Sequence, residues 1–162
     1  MAPSLVLADD SALLREGLAG LLERQGYDVI ARESSAPALV DCINLLDSQG
    51  RLPDAVITDV RMPPSMRNDG LEAALTIRRR HPAVAIMVLS QYVSAAYAQQ
   101  LFAADAPVDA GGTGYLLKDR VSEAADFLGS LRVVLAGGMV TDPEVARAMV
   151  RGSRSGLADL TP

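Results

Sequence analysis

Tryptophan is absent from the chain and aromatic residues make up only 4% of it, which excludes the stacked-aromatic surface that single-stranded nucleic acid requires. A single cysteine, Cys42, excludes an internal disulfide framework. With no Cys or His close to it in sequence, Cys42 reads as a small buried hydrophobe on a helix. Basic charge is also scarce: 15 Lys and Arg face 20 Asp and Glu, for a formal net charge of -5. The sequence pI near 4.8 denies this chain the basic footprint of a nucleic-acid binder, so any DNA contact must come from elsewhere. No apolar stretch approaches the roughly 18 residues of a membrane span, and Met1-Ala2-Pro3-Ser4 lacks the basic and apolar regions of a secretory signal. A soluble, cytoplasmic protein with no membrane partner is the expectation. Lysine is rarest among the basic residues: Lys118 stands alone beside 14 arginines.

What is present is the patterning of one α/β domain. The chain is 162 residues long and 49% hydrophobic, enough for a single buried core and a little more. Short apolar runs at 5–8, 28–31, 55–58, 85–89 and 114–117 alternate with amphipathic stretches, the mark of βα units around a parallel sheet with helices on both faces. The first, third and fourth runs are almost continuous in Val, Leu, Ile and Ala, as burial on both faces demands. Ser11 is placed to cap a helix with Leu14, Leu18, Leu21 and Leu22 on one stripe, closed by Gly26. A second helix spans 35–46, with Leu39, Val40, Ile43 and Leu46 inward. A third runs from Gly70 to Arg78-Arg79-Arg80-His81-Pro82, where cations suit the negative helix end and proline stops it. His81 is thereby assigned to that terminus, not to catalysis. Helices at 94–104 and 122–136 complete the domain, which is bounded at residue 138. Beyond it, Asp142-Pro143-Glu144 starts a short helix, and 151–156, rich in Gly, Ser and Arg, reads as a flexible linker.

In an open parallel sheet, ligands bind at the carboxyl ends of the strands. The residues at those ends are Asp9 and Asp10, Asp59, Ser90 and Lys118. Each has an ordinary alternative: an Asp pair before a helix is a capping signal, Asp59 can initiate the Met62-Pro63-Pro64 turn, and Ser90 can be a loop hydroxyl. Together they are chemically complementary. Converging carboxylates repel unless a cation sits among them, and few, hard oxygen ligands suit Mg2+. A carboxylate beside Mg2+, with a lysine and a hydroxyl to hold oxygens, has the parts for phosphoryl transfer to an Asp nucleophile.

These residues also carry a family resemblance. Asp9-Asp10, Asp59-Val60-Arg61-Met62-Pro63, Leu89-Ser90 and Gly114-Tyr115-Leu116-Leu117-Lys118-Asp119 together resemble a bacterial two-component response-regulator receiver domain, over about residues 5–136. The resemblance implies a flavodoxin-like sheet of five strands in the order 2-1-3-4-5. It implies that Asp59 is phosphorylated by a sensor histidine kinase, that Asp10, Asp59 and the Arg61 carbonyl bind Mg2+ directly, and that Asp9 assists through water. Lys118 would pair with the phosphoryl group, Ser90 would reach it once attached, and Tyr115 would turn inward as the aromatic switch. Two segments are longer than the family pattern, 64–69 beside the metal and 103–112 before the fifth strand. The second lies on a face such domains use to dimerise, which puts a phosphorylation-driven homodimer in question. Leu160-Thr161-Pro162 resembles the entry to a LuxR-type helix-turn-helix output domain, so residues 139–162 are expected to lead to a DNA-binding domain absent from this chain.

Three other functions stay open at this level. One is a receiver-like domain regulated without phosphorylation. Another is a Mg2+-dependent phosphohydrolase of the haloacid-dehalogenase kind, which would place an acid where Arg61 stands. The last is a flavin-binding domain, against which the missing Gly-rich phosphate loop after the first strand weighs.

Overall fold

The apolar runs form strands because each has helices to bury it on both sides. The computed structural model describes residues 2–103 and 110–160. Its elements are β1 (Ser4–Ala8), α1 (Ala12–Arg24), β2 (Asp28–Glu33), α2 (Ala36–Ser48), β3 (Ala55–Asp59), α3 (Asp69–Arg80), β4 (Ala85–Ser90), α4 (Ala95–Ala103), β5 (Thr113–Leu117), a 3₁₀ turn (Lys118–Ser122), α5 (Ala124–Leu135), β6 (Met139–Thr141) and α6 (Pro143–Leu160). Every residue of β3 and β4 is buried, matching their unbroken apolar sequence. Ser11 and Ser35 cap α1 and α2, accepting from the N–H groups of Leu14 and Ala38, each at 3.3 Å.

The strands run parallel in the order β2-β1-β3-β4-β5-β6. Two cores line the faces. One joins Leu18 and Leu22 of α1 to Phe127 and Leu131 of α5; the other joins α2, α3, α4 and the start of α6, through Leu39, Ile43, Leu71, Ile77, Leu101 and Val145.

Two expectations need correction. The sheet has six strands, because Met139–Thr141 pairs with β5 and makes β5 an interior strand. Gly137, at φ 92°, turns the chain back after α5, and the Gly138 carbonyl accepts from the Thr113 N–H at 3.1 Å. A three-residue strand is too short to show a period in sequence. The chain after it forms one helix through residue 160 in place of a short helix and linker. Gly152 costs such a helix about 1 kcal/mol relative to alanine, and burial of Val145 against α4 offsets that cost at the helix start. Residues 104–109 of the long 103–112 segment, and Thr161-Pro162, lie outside the described residues.

The end of that long segment is tied down by a residue expected only to decorate a helix end. Arg78 is 5% exposed and donates to the carbonyls of Gly111 at 2.6 Å and Gly112 at 2.7 Å and to Thr113 Oγ1 at 2.9 Å. These bonds anchor the entry to β5. Burial depresses the guanidinium pKa, and among the described residues no carboxylate pairs with it. Among the described residues its charge is met by two backbone carbonyls and the Thr113 hydroxyl. Arg78→Met takes the side-chain donor from the Gly111 carbonyl and the Thr113 hydroxyl, while the Gly112 carbonyl keeps the Ile86 N–H at 3.0 Å; it should lower unfolding stability by about 2 kcal/mol, read from urea denaturation. Arg79→Met, on an exposed neighbour, should cost little.

Candidate functional site

The carboxyl ends of β1, β3 and β5 bring the candidate side chains together. Asp9 and Asp10 follow β1, Asp59 ends β3, and Lys118 follows β5. Asp9, Asp10 and Asp59 each offer a carboxylate oxygen, and these three atoms lie within 4.8 Å of one another. Asp9 and Asp59 are buried, at 6% and 4% exposure, while Asp10 is exposed. Lys118 Nζ bridges the two buried acids, 2.9 Å from Asp59 Oδ2 and 3.3 Å from Asp9 Oδ2. Above them opens a cavity of about 570 Å³, lined by Asp10, Asp59, Arg61, Ser90, Tyr92 and Lys118 among others.

Local bonds hold Asp9 in place. Its Oδ1 accepts the Ser11 N–H at 2.8 Å, its carbonyl accepts from Arg15 Nη1 at 2.7 Å, and its other carboxylate oxygen faces Lys118. With both oxygens engaged, Asp9 has less to offer a cation directly than Asp10, whose carboxylate faces the cavity. Asp59 Oδ1 lies 3.4 Å from the Arg61 N–H, a long contact that leaves this oxygen weakly held.

Charge is strained here. Burial pushes the Asp59 carboxyl above the usual carboxylate range; the bond and charge of Lys118 pull it down, and Asp9 pushes it up again. Burial works against the Lys118 ammonium too, but its pairing with Asp59 and Asp9 wins and raises its pKa. Because the folded chain holds the Asp59 proton more tightly than the unfolded chain, this group contributes stability at acid pH. That contribution is lost as pH rises through the folded value, so the ionised side chain is a net cost at neutral pH. Asp59→Asn should therefore raise the thermal midpoint at pH 7 by on the order of a few degrees. The gain should shrink as the pH falls toward the ordinary carboxylate range; calorimetry across pH checks both.

Ser90 is buried and turned toward its own loop, donating to the Tyr92 carbonyl at 2.6 Å. Tyr115 lies fully inside, at 0% exposure, packed in the core that α4 and α6 share. Among the described residues its hydroxyl has no hydrogen-bond partner of ordinary geometry, although Ser90 lies close enough to ease the upward push that burial gives the phenol. The ring thus occupies the inward position in this structure.

Three side-chain or packing contacts escaped the sequence reading. Gly70, in the first turn of α3, packs so closely that an added Cβ would sit 1.7 Å from the Asp59 carbonyl oxygen. Arg61 places its guanidinium over the Tyr92 ring, 4.7 Å from the centroid, joining the loops after β3 and β4 across the cavity mouth. Arg120, two residues after Lys118, forms a salt bridge with the buried Asp142 at 3.1 Å. Gly70 had a weak signal, as the first residue after a polar loop; the other two join residues far apart in sequence.

Three hard oxygen donors beside a lysine, at the strand ends of a doubly wound sheet, define an α/β domain suited to a divalent cation and a small anion. Comparison with known proteins gives the class its family. Residues 5–124 match the family described as the response regulator receiver domain, and the chain belongs to that family. It is 32% identical over 147 residues to the transcriptional regulatory protein LnrK of Bacillus subtilis, covering 90% of this chain and 60% of LnrK. It is 31% identical over 142 residues to the nitrate/nitrite response regulator protein NarP of Escherichia coli, covering 87% of this chain and 59% of NarP. Among solved structures, a LuxR-family two-component response regulator from Aurantimonas sp. SI85-9A1 superposes with a TM-score of 0.72 at 26% identity, covering 94% of this chain and 99% of that one. The chain therefore spans about 60% of the length of these curated relatives. Among the described residues, no helix is long and apolar enough to cross a membrane.

Proposed function

We propose that this chain is the phosphoacceptor module of a transcriptional response regulator, taking a phosphoryl group on Asp59 from the phosphohistidine of a sensor histidine kinase. The observation that carries the reading is Lys118 Nζ held between Asp59 and Asp9 on the floor of a cavity that Asp10 also lines. An acceptor needs a desolvated carboxylate with a cation at hand, and Asp59, buried and 2.9 Å from Lys118 Nζ, supports that reading.

In the transfer, one Asp59 oxygen bonds to phosphorus as the donor's P–N bond breaks, and the electron pair leaves with the imidazole, which takes up a proton. Lys118 would hold the phosphoryl oxygens, by exchanging an Asp59 contact for them. Ser90 would join it by giving up the Tyr92 carbonyl, with Tyr115 filling the space behind. The donor set fits Mg2+: Asp10, Asp59 and the Arg61 carbonyl would hold it, and Asp9, already committed to Ser11 and Lys118, would act through water. Bound there, Mg2+ supplies the positive charge that lets anionic donor and carboxylate approach.

No acid stands two residues after Asp59. Arg61 occupies that place and lies against Tyr92, which disfavours a turnover phosphohydrolase. The name of LnrK, a transcriptional regulatory protein, supports a role in transcription, which would be exercised through a DNA-binding domain outside these residues. The test is intact-mass analysis after incubation with acetyl phosphate. One labile phosphoryl adduct is expected with Mg2+, and none without Mg2+ or in Asp59→Asn; no adduct with any small donor would overturn the reading.

A further inference from the structure

Asp142 takes no part in the cavity, yet it grips both sides of Lys118. It is 0% exposed and lies between β6 and α6. Arg120 donates to it twice, from Nε to Oδ2 at 3.1 Å and from Nη2 to Oδ1 at 3.2 Å, a forked and charge-assisted pair. The Leu117 N–H approaches Oδ2 at 3.4 Å, and the Glu144 N–H donates to Oδ1 at 3.2 Å, so one carboxylate holds the strand end before Lys118 and caps α6. Its own N–H donates to the Tyr115 carbonyl at 2.8 Å. Although burial opposes its charge, these donors keep the Asp142 carboxyl below the usual range.

The helix it caps is docked. Val145, at 0% exposure, shares a core with Tyr115 and with Ala98 and Leu101 of α4, and Met149 packs against the same core. Lys118 and Arg120 stand on one 3₁₀ turn, the first bonded to Asp59 and the second to Asp142. That short turn therefore has one end in the phosphoryl site and the other at the start of α6.

We propose that Asp142, with Arg120, is a positioning residue for Lys118, and that it couples occupancy of Asp59 to the hold of α6 on α4. The proposal rests on the phosphoacceptor reading. A phosphoryl group on Asp59 gives Lys118 new anionic oxygens to follow. Because Leu117 and Arg120 share the Asp142 carboxylate, a shift of Lys118 moves the same group that caps α6. Loosening Asp142 frees the turn that carries Lys118, so the ammonium is less well positioned to meet the incoming phosphoryl group.

The test uses the whole chain, acetyl phosphate with Mg2+, timed intact mass, and hydrogen exchange of the amides in 144–151. Asp142→Asn keeps volume and a capping oxygen but loses the charge; Arg120→Met keeps the stem but loses the fork. Each should slow adduct formation about fivefold to tenfold, near the low end of ordinary coupling strengths. In the wild-type chain the adduct should change exchange in 144–151; in both variants exchange there should no longer respond to the adduct. A merely structural role would lower stability without erasing that response. If Asp142→Asn fails to fold, Arg120→Met carries the test, since that side chain is 27% exposed. Labelling of Arg120→Met at the wild-type rate, or a wild-type α6 indifferent to the adduct, would overturn the proposal and leave the phosphoacceptor reading standing. A wild-type chain that takes no phosphoryl group would overturn both.

Discussion

Lys118→Arg keeps the net charge and the fold yet slows phosphoryl acceptance from acetyl phosphate by on the order of 100-fold, the usual cost of losing one well-placed donor to a developing anion. Lys118 serves two nearly buried carboxylates with one compact ammonium, at 2.9 Å and 3.3 Å. Arginine is longer and carries its charge on a planar fork that prefers to engage one carboxylate at two points. Between Asp9 and Asp59 that preference ties up acceptor oxygens and pushes the head into the cavity. Timed intact-mass analysis measures the rate, and a thermal melt within a few degrees of wild type shows that the loss is local. Labelling of the variant at the wild-type rate would mean that charge alone suffices.

Gly70→Ala should be the most damaging single-methyl change near the site, lowering stability by more than about 3 kcal/mol. The added Cβ would meet the Asp59 carbonyl oxygen at 1.7 Å and the Asp59 carbonyl carbon at 2.9 Å, and both are backbone atoms that no rotamer change can move. The Gly70 N–H also donates to the Val60 carbonyl at 2.9 Å, so α3 and the end of β3 are locked face to face. Relief requires shifting the start of α3 or Asp59 itself, and overpacking of this kind costs 1–3 kcal/mol or more even against movable side chains. Gly17→Ala is the contrast. A Cβ at that position on α1 meets nothing within 4 Å, so helix propensity should make the variant more stable by about 0.5–1 kcal/mol. Urea denaturation of the pair checks both signs.

The strands were legible in sequence because double burial forces them to be continuously apolar, and the observed ends of β1, β3, β4 and β5 fall within a residue of the expected ones. The serine caps of α1 and α2 were legible because a cap acts within three residues. Asp9, Asp10, Asp59 and Lys118 could be grouped because parallel topology sends every strand end to one edge. What stayed hidden depends on partners distant in the chain. Arg78 stands in a run of three arginines and looked like terminal charge, yet it lies four residues after Ala74 and one after Ile77, on the buried face. Its partners are 33–35 residues away. Asp142 announced a helix start but not Arg120, 22 residues earlier. Met139–Thr141 was too short to show a strand period, and Gly152 made a continuous helix look like a linker. Whether Tyr115 points in or out is a matter of rotamer, which no sequence pattern encodes.

The central claim is that Asp59, alone among the clustered acids, receives the phosphoryl group. Borohydride reduction of the acetyl phosphate-treated chain, followed by peptide mass analysis, reads this directly, since the acyl phosphate is cleaved to an alcohol where it formed. The account predicts homoserine at position 59 and unaltered Asp9 and Asp10, with no reduction in samples lacking Mg2+. Reduction at Asp9 or Asp10, or a stable phosphoryl group elsewhere with position 59 untouched, would contradict it.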